Sequence, residues 1–292
     1  MDALPIQETN EVPYKSINDG VMHACGHDVH TTCVLGAAYL LSQIKDKLKH
    51  NVVLIFQPGE EKLPGGASIM INEGLLQKYK MDAIIAQHVH PPLECGKIGI
   101  RAGMYMASAD ELYIEIVGKG GHGALPHACV DPIVIAAEII CSLQKIVSRN
   151  AKATTPSVLT IGKINSVGGA TNVIPDVVKL EGTFRTMDED WRSVVHEKIK
   201  SYVNSLCKAN GATAVVDIKK GYPFLKNDII LTNKVEAEVK GLLGDDNVTH
   251  LPIRMTSEDF SYYSQHMPTC FYRLGTGTVS YTHLTLPTIY SV

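Results

Sequence analysis

The chain has 292 residues, of which 45% are hydrophobic and 20% charged, and its formal net charge is -3 at pH 7. This length suffices for one large or two moderate domains with buried cores. The near-neutral charge provides no basic surface for nucleic acid, and no apolar run approaches the ~20 residues that cross a bilayer. We therefore expect a globular protein with neither nucleic-acid nor membrane partners. Without a signal-like start, and with seven irregularly spaced cysteines, we expect reduced thiols and a cytoplasmic location.

The first thirty residues contain a dense group of metal-binding side chains. His23, Cys25, His27 and His30 lie within eight residues, with Asp28 among them. Imidazole and thiolate suit Zn²⁺ and similar ions, and a carboxylate beside a ligating histidine commonly fixes its tautomer. The alternative is a buried thiol with scattered surface histidines, but the density of the group favours a metal site.

The following elements alternate between helices and strands. Apolar spacing predicts a helix over 31–49, a strand buried on both faces over 51–56, a helix over 66–79 and a strand over 82–86. Glu60 and Glu61 follow the first strand, and His88 and His90 follow the second. Because open α/β sheets hold their sites beyond the carboxyl ends of strands, we expect these polar groups to lie near one another.

Beyond residue 107 the pattern becomes that of a small antiparallel domain. The predicted elements are a strand over 111–117, a helix over 131–149, strands over 157–165 and 177–186, a helix over 189–209 and a strand over 213–219. This β-α-β-β-α-β order is that of the ferredoxin-like fold. We expect it to occupy 108–219 as an insertion, because a helix over 227–243 and a strand over 270–274 resume the α/β alternation. The larger domain would then comprise 1–107 and 220–292.

The pair Glu60 and Glu61 supplies a carboxylate beyond those needed as ligands. A hydrolytic metal centre requires an ion that lowers the pKa of water, together with a base that accepts a proton. Neighbouring side chains point in different directions, so one glutamate can coordinate while the other acts as the base. The alternative is two solvated glutamates on a turn.

Six motifs, taken in order and spacing, resemble the metal-dependent amidohydrolases of the aminoacylase and carboxypeptidase-like superfamily. They are His23-Ala-Cys-Gly-His-Asp28, Gln57-Pro-Gly-Glu-Glu61, His88-Val-His-Pro91, Gly120 to His127, Asn172 to Pro175 and Gly182 to Arg185. The branch they resemble most is the N-acyl-amino-acid amidohydrolases, which include hippurate hydrolases and plant hydrolases of indole-acetyl amino acids. The resemblance implies an α/β, zinc-peptidase-like catalytic domain with an inserted ferredoxin-like lid that also mediates dimerisation.

The resemblance also implies roles in the larger domain. The implied metal ligands are Cys25, His27, Glu61 and His88, and Glu60 is the implied general base. His23, Asp28 and His30 would support these ligands or the local structure. Two divalent ions are implied as cofactors, and Zn²⁺, Mn²⁺, Co²⁺ and Ni²⁺ each suit such ligands.

In the smaller domain, His122 is implied to reach the active site of a partner subunit and stabilise the oxyanion. Asn172 and Arg185 occupy positions where the family contacts substrate, and a guanidinium is well suited to an amino-acid carboxylate. The implied substrate is a small N-acyl amino acid, and the implied assembly is a homodimer.

The resemblance runs from Met1 to about Gly277. It begins inside a family motif, here Met1-Asp-Ala-Leu-Pro5, and ends before the late histidine that completes the family's metal site. We therefore expect an incomplete catalytic domain. Residues 278–292 match no family motif, so we expect them to be foreign read-through, and His283 is assigned no role.

Three alternatives remain open. The chain could be a dipeptidase or carboxypeptidase of the same superfamily, or a non-catalytic fragment that only dimerises. A hydrolase with Cys25 as nucleophile is less favoured, because the paired glutamates would then have no role.

Overall fold

The computed structural model describes residues 2–277, so the expectations for 278–292 and His283 lie outside the described range. The chain divides into two compact units. Unit 1 comprises the residues up to Met106 and those from Leu225 onward, and unit 2 comprises Ala107–Phe224. Within the described residues, no helix is both long and hydrophobic enough to cross a membrane.

The helices and strands follow in chain order. The α-helices are α1 (His27–Gln43), α2 (Gly66–Asn72), α3 (Leu75–Lys78), α4 (Pro132–Lys145), α5 (Glu189–Ala209), α6 (Ile229–Leu243) and α7 (Ser261–Ser264). The strands are β1 (Ile84–His90), β2 (Ile98–Ile100), β3 (Gly103–Met106), β4 (Asp110–Val117), β5 (Gly121–His122), β6 (Ser157–Val167), β7 (Val173–Ile174), β8 (Val177–Thr186), β9 (Thr213–Lys220), β10 (Leu225–Asn227), β11 (Val248–His250) and β12 (Thr269–Gly275).

Unit 1 contains a mixed sheet in the order β1-β12-β2-β11. β1 runs parallel to β12, β12 antiparallel to β2, and β2 parallel to β11, while β3 and β10 form a separate antiparallel pair. Its core contains large side chains from β3, β12 and the residues around α7: Tyr105, Met106, Phe260, Tyr263 and Phe271. The parallel pair of β1 and β12 positions His88, a predicted metal ligand, because His88 on β1 lies opposite Arg273 on β12.

Unit 2 contains an antiparallel sheet in the order β6-β8-β4-β9, covered by α4 and α5. Asp188 caps α5, because its carboxylate accepts a hydrogen bond from the Trp191 N–H at 2.9 Å. One face of α5 is then buried at intervals of four residues, which is the helical repeat of a core-facing stripe: Val195, Ile199, Val203 and Cys207. A second two-stranded pair joins β5 to β7.

The predicted strand over 51–56 is wrong, because these residues form no strand in the structure. Val52, Leu54 and Phe56 are exposed, whereas Val53 and Ile55 are half-buried, so the segment is not covered on both faces. An apolar run becomes a buried strand only where a neighbouring strand pairs with it, and none does so among the described residues.

Three other boundaries in unit 1 also differ from the prediction. α1 begins at His27 and ends at Gln43, rather than extending over 31–49. The single helix predicted over 66–79 is two helices, separated at Gly74, whose φ of 95° interrupts the helix. β1 extends beyond residue 86 to His90, so His88 and His90 lie on the strand rather than after it.

Candidate metal centre

Gly26 shapes the segment that carries the first candidate ligands. It adopts a left-handed conformation, φ 83°, at the N-terminus of α1, and a Cβ there would lie 2.5 Å from a Val89 methyl group. Glycine therefore allows the segment to approach β1 closely. As a result, Cys25 Sγ lies 3.4 Å from His88 Nε2, while His27 begins the helix.

His27 is oriented by an acid from the start of the chain. Its Nδ1 lies 2.5 Å from Asp2 Oδ1, and the other Asp2 oxygen accepts a hydrogen bond from the Glu61 N–H at 3.0 Å. With Nδ1–H donating to the carboxylate, the His27 Nε2 lone pair faces Glu60 Oε2 at 3.9 Å and Glu61 Oε1 at 3.8 Å. A carboxylate that holds one imidazole nitrogen so that the other can bind a metal is a common arrangement in metalloproteins.

The tautomer of His88 is fixed in the same way. Its Nδ1–H donates to the Val89 carbonyl at 2.8 Å, so Nε2 carries the lone pair that faces Cys25. His30 is engaged elsewhere, because its Nε2 accepts a hydrogen bond from the Val89 N–H at 2.9 Å. His30 therefore links α1 to β1, and that contact occupies its Nε2.

The loop that carries Glu60 and Glu61 is held by a distant acid. Gln57 Nε2 donates to both oxygens of Asp259 at 2.7 and 2.8 Å, and the Ala67 N–H donates to one of them at 3.0 Å. Tyr263 O–H completes the contact by donating to Gln57 Oε1 at 3.2 Å. Asp259 thus fixes both ends of the loop between Gln57 and α2.

These side chains form three overlapping sets of possible ligands. The sets are Cys25, His27 and His88; His27, Glu60 and Glu61; and Glu60, Glu258 and Asp259. Within each set the ligand atoms lie within 4.8 Å of one another. We call these seven residues the ligand cluster. Each neighbouring pair of sets shares one residue, so the cluster is continuous.

Burial and like charges shift the pKa values within the ligand cluster. Desolvation raises the pKa of the Cys25 thiol, and the Glu61 and Glu60 charges raise it further. Desolvation, followed by the charges of Glu258 and Asp259, also raises the pKa of Glu60. Desolvation is also the main reason that the pKa of Glu258 is raised to about 8 and that of Asp259 to about 6. Each acidic group is therefore stabilised by a proton or by an added cation.

The composition of the ligand cluster fits divalent metal ions. It combines a thiol, imidazoles and carboxylates, which is a ligand set for zinc and its first-row neighbours. The Glu61 Oε1 atom is buried and has no hydrogen-bond partner among residues 2–277. A buried carboxylate oxygen without a partner is costly, and coordination to a cation would remove that cost.

The other predicted site residues belong to unit 2. His122 and Asn172 are both exposed and lie at the β5–β7 pair, where the Gly123 N–H donates to the Asn172 carbonyl at 2.8 Å. His122 Nδ1 accepts from the Ala124 N–H at 3.1 Å. Arg185 is half-buried on β8, and desolvation lowers its pKa.

The structure also brings in residues that sequence reasoning did not assign. Asp2, rather than the exposed Asp28, is the acid that contacts His27. Glu258 and Asp259 come from a loop before α7 that no predicted element included. Their only sequence signal is two adjacent acids, the same signal that singled out Glu60 and Glu61.

Together, the mixed α/β unit and its ligand cluster define the class of an α/β protein with a candidate metal centre. The sequence matches Peptidase family M20/M25/M40 over residues 1–285. The chain belongs to this family. The resemblance drawn from the six motifs is confirmed, as is the mixed α/β fold class.

Two relatives illustrate the activities found in the family. The N-acetyl-L-cysteine deacetylase of Bacillus subtilis is 43% identical over 278 residues, covering 94% of this chain and 65% of the relative. The N-acyl-L-amino acid amidohydrolase of Geobacillus stearothermophilus is 44% identical over 222 residues, covering 76% of this chain and 59% of the relative. The chain thus spans less than two thirds of the length of these two relatives.

A solved structure supports the same fold. The YXEP protein of Bacillus subtilis, described as a dinuclear metal-binding peptidase of the M20 family, matches with a TM-score of 0.78 and 33% identity. The match covers 97% of this chain and 72% of that protein.

Proposed function

We propose that the protein is a metal-dependent hydrolase that cleaves the amide bond of small N-acyl amino acids. The observation that carries the proposal is the overlap of three ligand sets at His27 and Glu60. Relatives named as N-acyl-amino-acid amidohydrolases and deacetylases support the same reaction class. Hydrolysis would break the amide C–N bond with one water and release a carboxylate and an amine.

In this proposal, two divalent ions are held by Cys25, His27, Glu61 and His88. When bound, such ions lower the pKa of water and polarise the carbonyl under attack. The thiol and imidazoles favour Zn²⁺, Mn²⁺, Co²⁺ or Ni²⁺ over Mg²⁺ or Ca²⁺, which prefer oxygen ligands. Asp2 keeps the His27 Nε2 lone pair directed into the ligand cluster.

Glu60 would act as the general base and acid. Its carboxylate accepts the proton of the attacking water and then delivers a proton to the leaving amine, so no net proton is consumed. Desolvation and the neighbouring carboxylates raise the pKa of Glu60, which makes its carboxylate a stronger base than an exposed glutamate.

We also propose that unit 2 is a ferredoxin-like lid and dimerisation domain, with 108–219 as the lid and 1–107 with 220–292 as the catalytic domain. The sheet order β6-β8-β4-β9 and the β-α-β-β-α-β sequence support the ferredoxin-like assignment. β6 is an edge strand with Ile164 and Val167 exposed, which is a surface suited to pairing with a second copy.

Within a homodimer, His122 of the partner subunit would stabilise the oxyanion that forms at the amide carbon. Asn172 and Arg185 would contact the substrate, with the Arg185 guanidinium directed at a carboxylate. The free cysteines among the described residues support a reducing, cytoplasmic location.

The test is hydrolysis of a panel of N-acetyl and N-benzoyl amino acids alongside dipeptides, assayed with added Zn²⁺, Mn²⁺, Co²⁺ or Ni²⁺ and with a chelator. We expect cleavage of N-acyl amino acids that the chelator abolishes and an added ion restores. Preferential cleavage of dipeptides would instead assign the chain as a dipeptidase. Cleavage that resists the chelator, or no cleavage with any ion, would contradict the proposal.

A further inference from the structure

Two arginines in unit 1, the buried Arg273 and the half-buried Arg254, form no salt bridge among residues 2–277. Arg273 on β12 is 5% exposed, yet its guanidinium contacts only neutral groups: the Tyr105 hydroxyl at 3.3 Å, the Met106 sulfur at 3.3 Å and the ring of Phe271 at 5.1 Å. Among residues 2–277 it forms no salt bridge, although Glu258 interacts with it electrostatically. A buried guanidinium normally has a salt-bridge partner, because removing an unpaired charge from water is costly.

Arg254 adds a second guanidinium beside the first. Its backbone N–H donates to the Tyr105 carbonyl at 2.8 Å, which fixes it next to β3. Its Nε atom is buried and has no hydrogen-bond partner in the part of the chain that the structure describes. Desolvation and then the charge of Arg273 lower the pKa of Arg254, so the two guanidinium groups repel each other.

The groups that face these arginines form no salt bridge with them. Arg254 Nη1 lies 3.5 Å from His90 Nδ1, and an imidazole carries no negative charge in its neutral or its protonated form. Glu258 interacts electrostatically with Arg273, but its carboxylate lies in the ligand set with Glu60 and Asp259. Among residues 2–277, neither guanidinium therefore has a carboxylate within salt-bridge distance.

The arginine pair lies beside the ligand cluster. Arg273 is opposite His88 across the parallel pair of β1 and β12, so the two side chains share one face of the sheet. His90 is two residues beyond His88 and also lies on that face. Two residues of a strand span about 6.6 Å, which is short enough for one small molecule to reach both positions.

We propose that Arg254, with Arg273 behind it, forms an anion site that receives a carboxylate of the substrate. The inference rests on the proposed hydrolysis of N-acyl amino acids and adds a carboxylate receptor within unit 1, separate from Arg185. The guanidinium of Arg254 offers its two Nη groups as N–H donors in a planar fork, and a carboxylate accepts such a fork with two parallel hydrogen bonds.

The test measures binding rather than turnover. N-benzoylglycine and its uncharged analogue N-benzoylglycinamide would be titrated into chelator-treated protein, with affinity measured by ligand-observed NMR. Chelation removes any metal that could itself bind a carboxylate, so the difference between the two ligands reports on protein groups alone. We expect wild-type protein to prefer the acid. Arg254→Gln should weaken binding of the acid by about 10- to 100-fold and leave binding of the amide within about twofold.

Arg101→Gln is the matched control. Arg101 donates to the Met104 and Leu251 carbonyls at 2.7 and 2.9 Å, so it supports the chain leading to Arg254 without facing His90. We expect this variant to retain the preference for the acid even if it lowers stability. Should Arg254→Gln fail to fold, Arg254→Lys keeps the charge but loses the fork, and we expect it to give an intermediate preference.

Two outcomes would overturn the proposal: equal affinity of the wild-type protein for acid and amide, or an equal loss for both ligands in Arg254→Gln. Either result leaves the hydrolysis proposal standing if the metal-loaded protein is active. Preference for the acid in protein that never hydrolyses either ligand would instead remove the hydrolysis proposal and retain the anion site.

Discussion

The two units bury acidic side chains in opposite ways. In unit 2, Asp110 is 1% exposed and each of its oxygens has a partner. Arg192 donates to both oxygens at 2.9 and 2.5 Å, and His196 contacts one of them at 2.6 Å. Desolvation alone would raise the pKa of Asp110, but the hydrogen bonds from His196 and Arg192 lower it overall.

In unit 1 the corresponding acids have one another as neighbours. Glu60, Glu258 and Asp259 lie within 4.8 Å of one another, and burial raises all three pKa values. The acid of unit 2 carries its own cation and is structural. Burial raises the pKa values of these acids of unit 1, which supports the proposal that divalent cations bind beside them.

The largest expected effect distinguishes Glu60, the proposed general base, from the other acids of unit 1. Glu60→Gln should lower kcat by about 10²- to 10⁴-fold, because the amide cannot accept the proton of water. Metal content measured by mass spectrometry should stay unchanged, since the proposed ligands are untouched. Glu94→Gln, a fully exposed acid of unit 1, serves as the control and should retain the wild-type rate. A wild-type rate in Glu60→Gln would exclude Glu60 from the mechanism.

The next largest effect should follow from removing the cation that pairs with Asp110 in unit 2. Arg192→Met leaves Asp110 buried without its cation and should reduce the free energy of unfolding by about 3–5 kcal/mol. Trp191, the single tryptophan of the chain, lies in unit 2 and reports its denaturation by fluorescence. Lys200→Met removes the exposed pair with Glu197 and should cost at most about 1 kcal/mol. Similar losses in both variants would refute the role assigned to the network.

Metal addition should stabilise unit 1 selectively. An ion that binds only the folded state contributes about 2.7 kcal/mol when its free concentration is a hundred times its Kd. Hydrogen exchange of α1 and β1 should therefore slow on addition of Zn²⁺ or Mn²⁺, while exchange of β4 and α5 should not change. Cys25→Ser should reduce this protection. Equal slowing in both units would indicate non-specific binding.

The smallest expected effect is an opposite response to pH in chelator-treated protein. Glu258 and Asp259 have raised pKa values, so they bind protons more tightly in the folded state. Their contribution to stability is complete below their ordinary pKa values, and it is lost as the pH rises through about 6 and then about 8. Asp110 has a lowered pKa, so its contribution is present above pH 3.8 and is lost at more acidic pH.

Between pH 5 and pH 8, β1 should therefore lose protection from exchange, after correction for the intrinsic rate, while β4 should not. A parallel response of the two strands would contradict the contrast between the units.

The same contrast explains what the sequence could predict. In unit 2 the limits of β8 and α5 agree with the predicted ranges, because alternation, the Asp188 cap and the four-residue repeat are local signals. In unit 1 the run over 51–56 has the composition of a strand, but whether a strand forms depends on a pairing partner that composition does not specify.

The candidate site was only partly predictable for the same reason. The motifs singled out Cys25, His27, Glu61 and His88, which lie in short dense clusters. The contact between Gln57 and Asp259 joins residues 202 positions apart, and that between Asp2 and His27 joins residues 25 apart. No periodicity or spacing in the sequence encodes such distant contacts, so the supporting acids emerged only from the fold.

The most direct measurement of the central claim is anomalous diffraction from crystals of the protein grown with Zn²⁺. We expect two peaks within the ligand cluster, in contact with Cys25, His27, Glu61 and His88, and weakened in Cys25→Ser. Absence of any peak there, or zinc bound only at surface positions such as the exposed His250, would contradict the assignment of a metal centre.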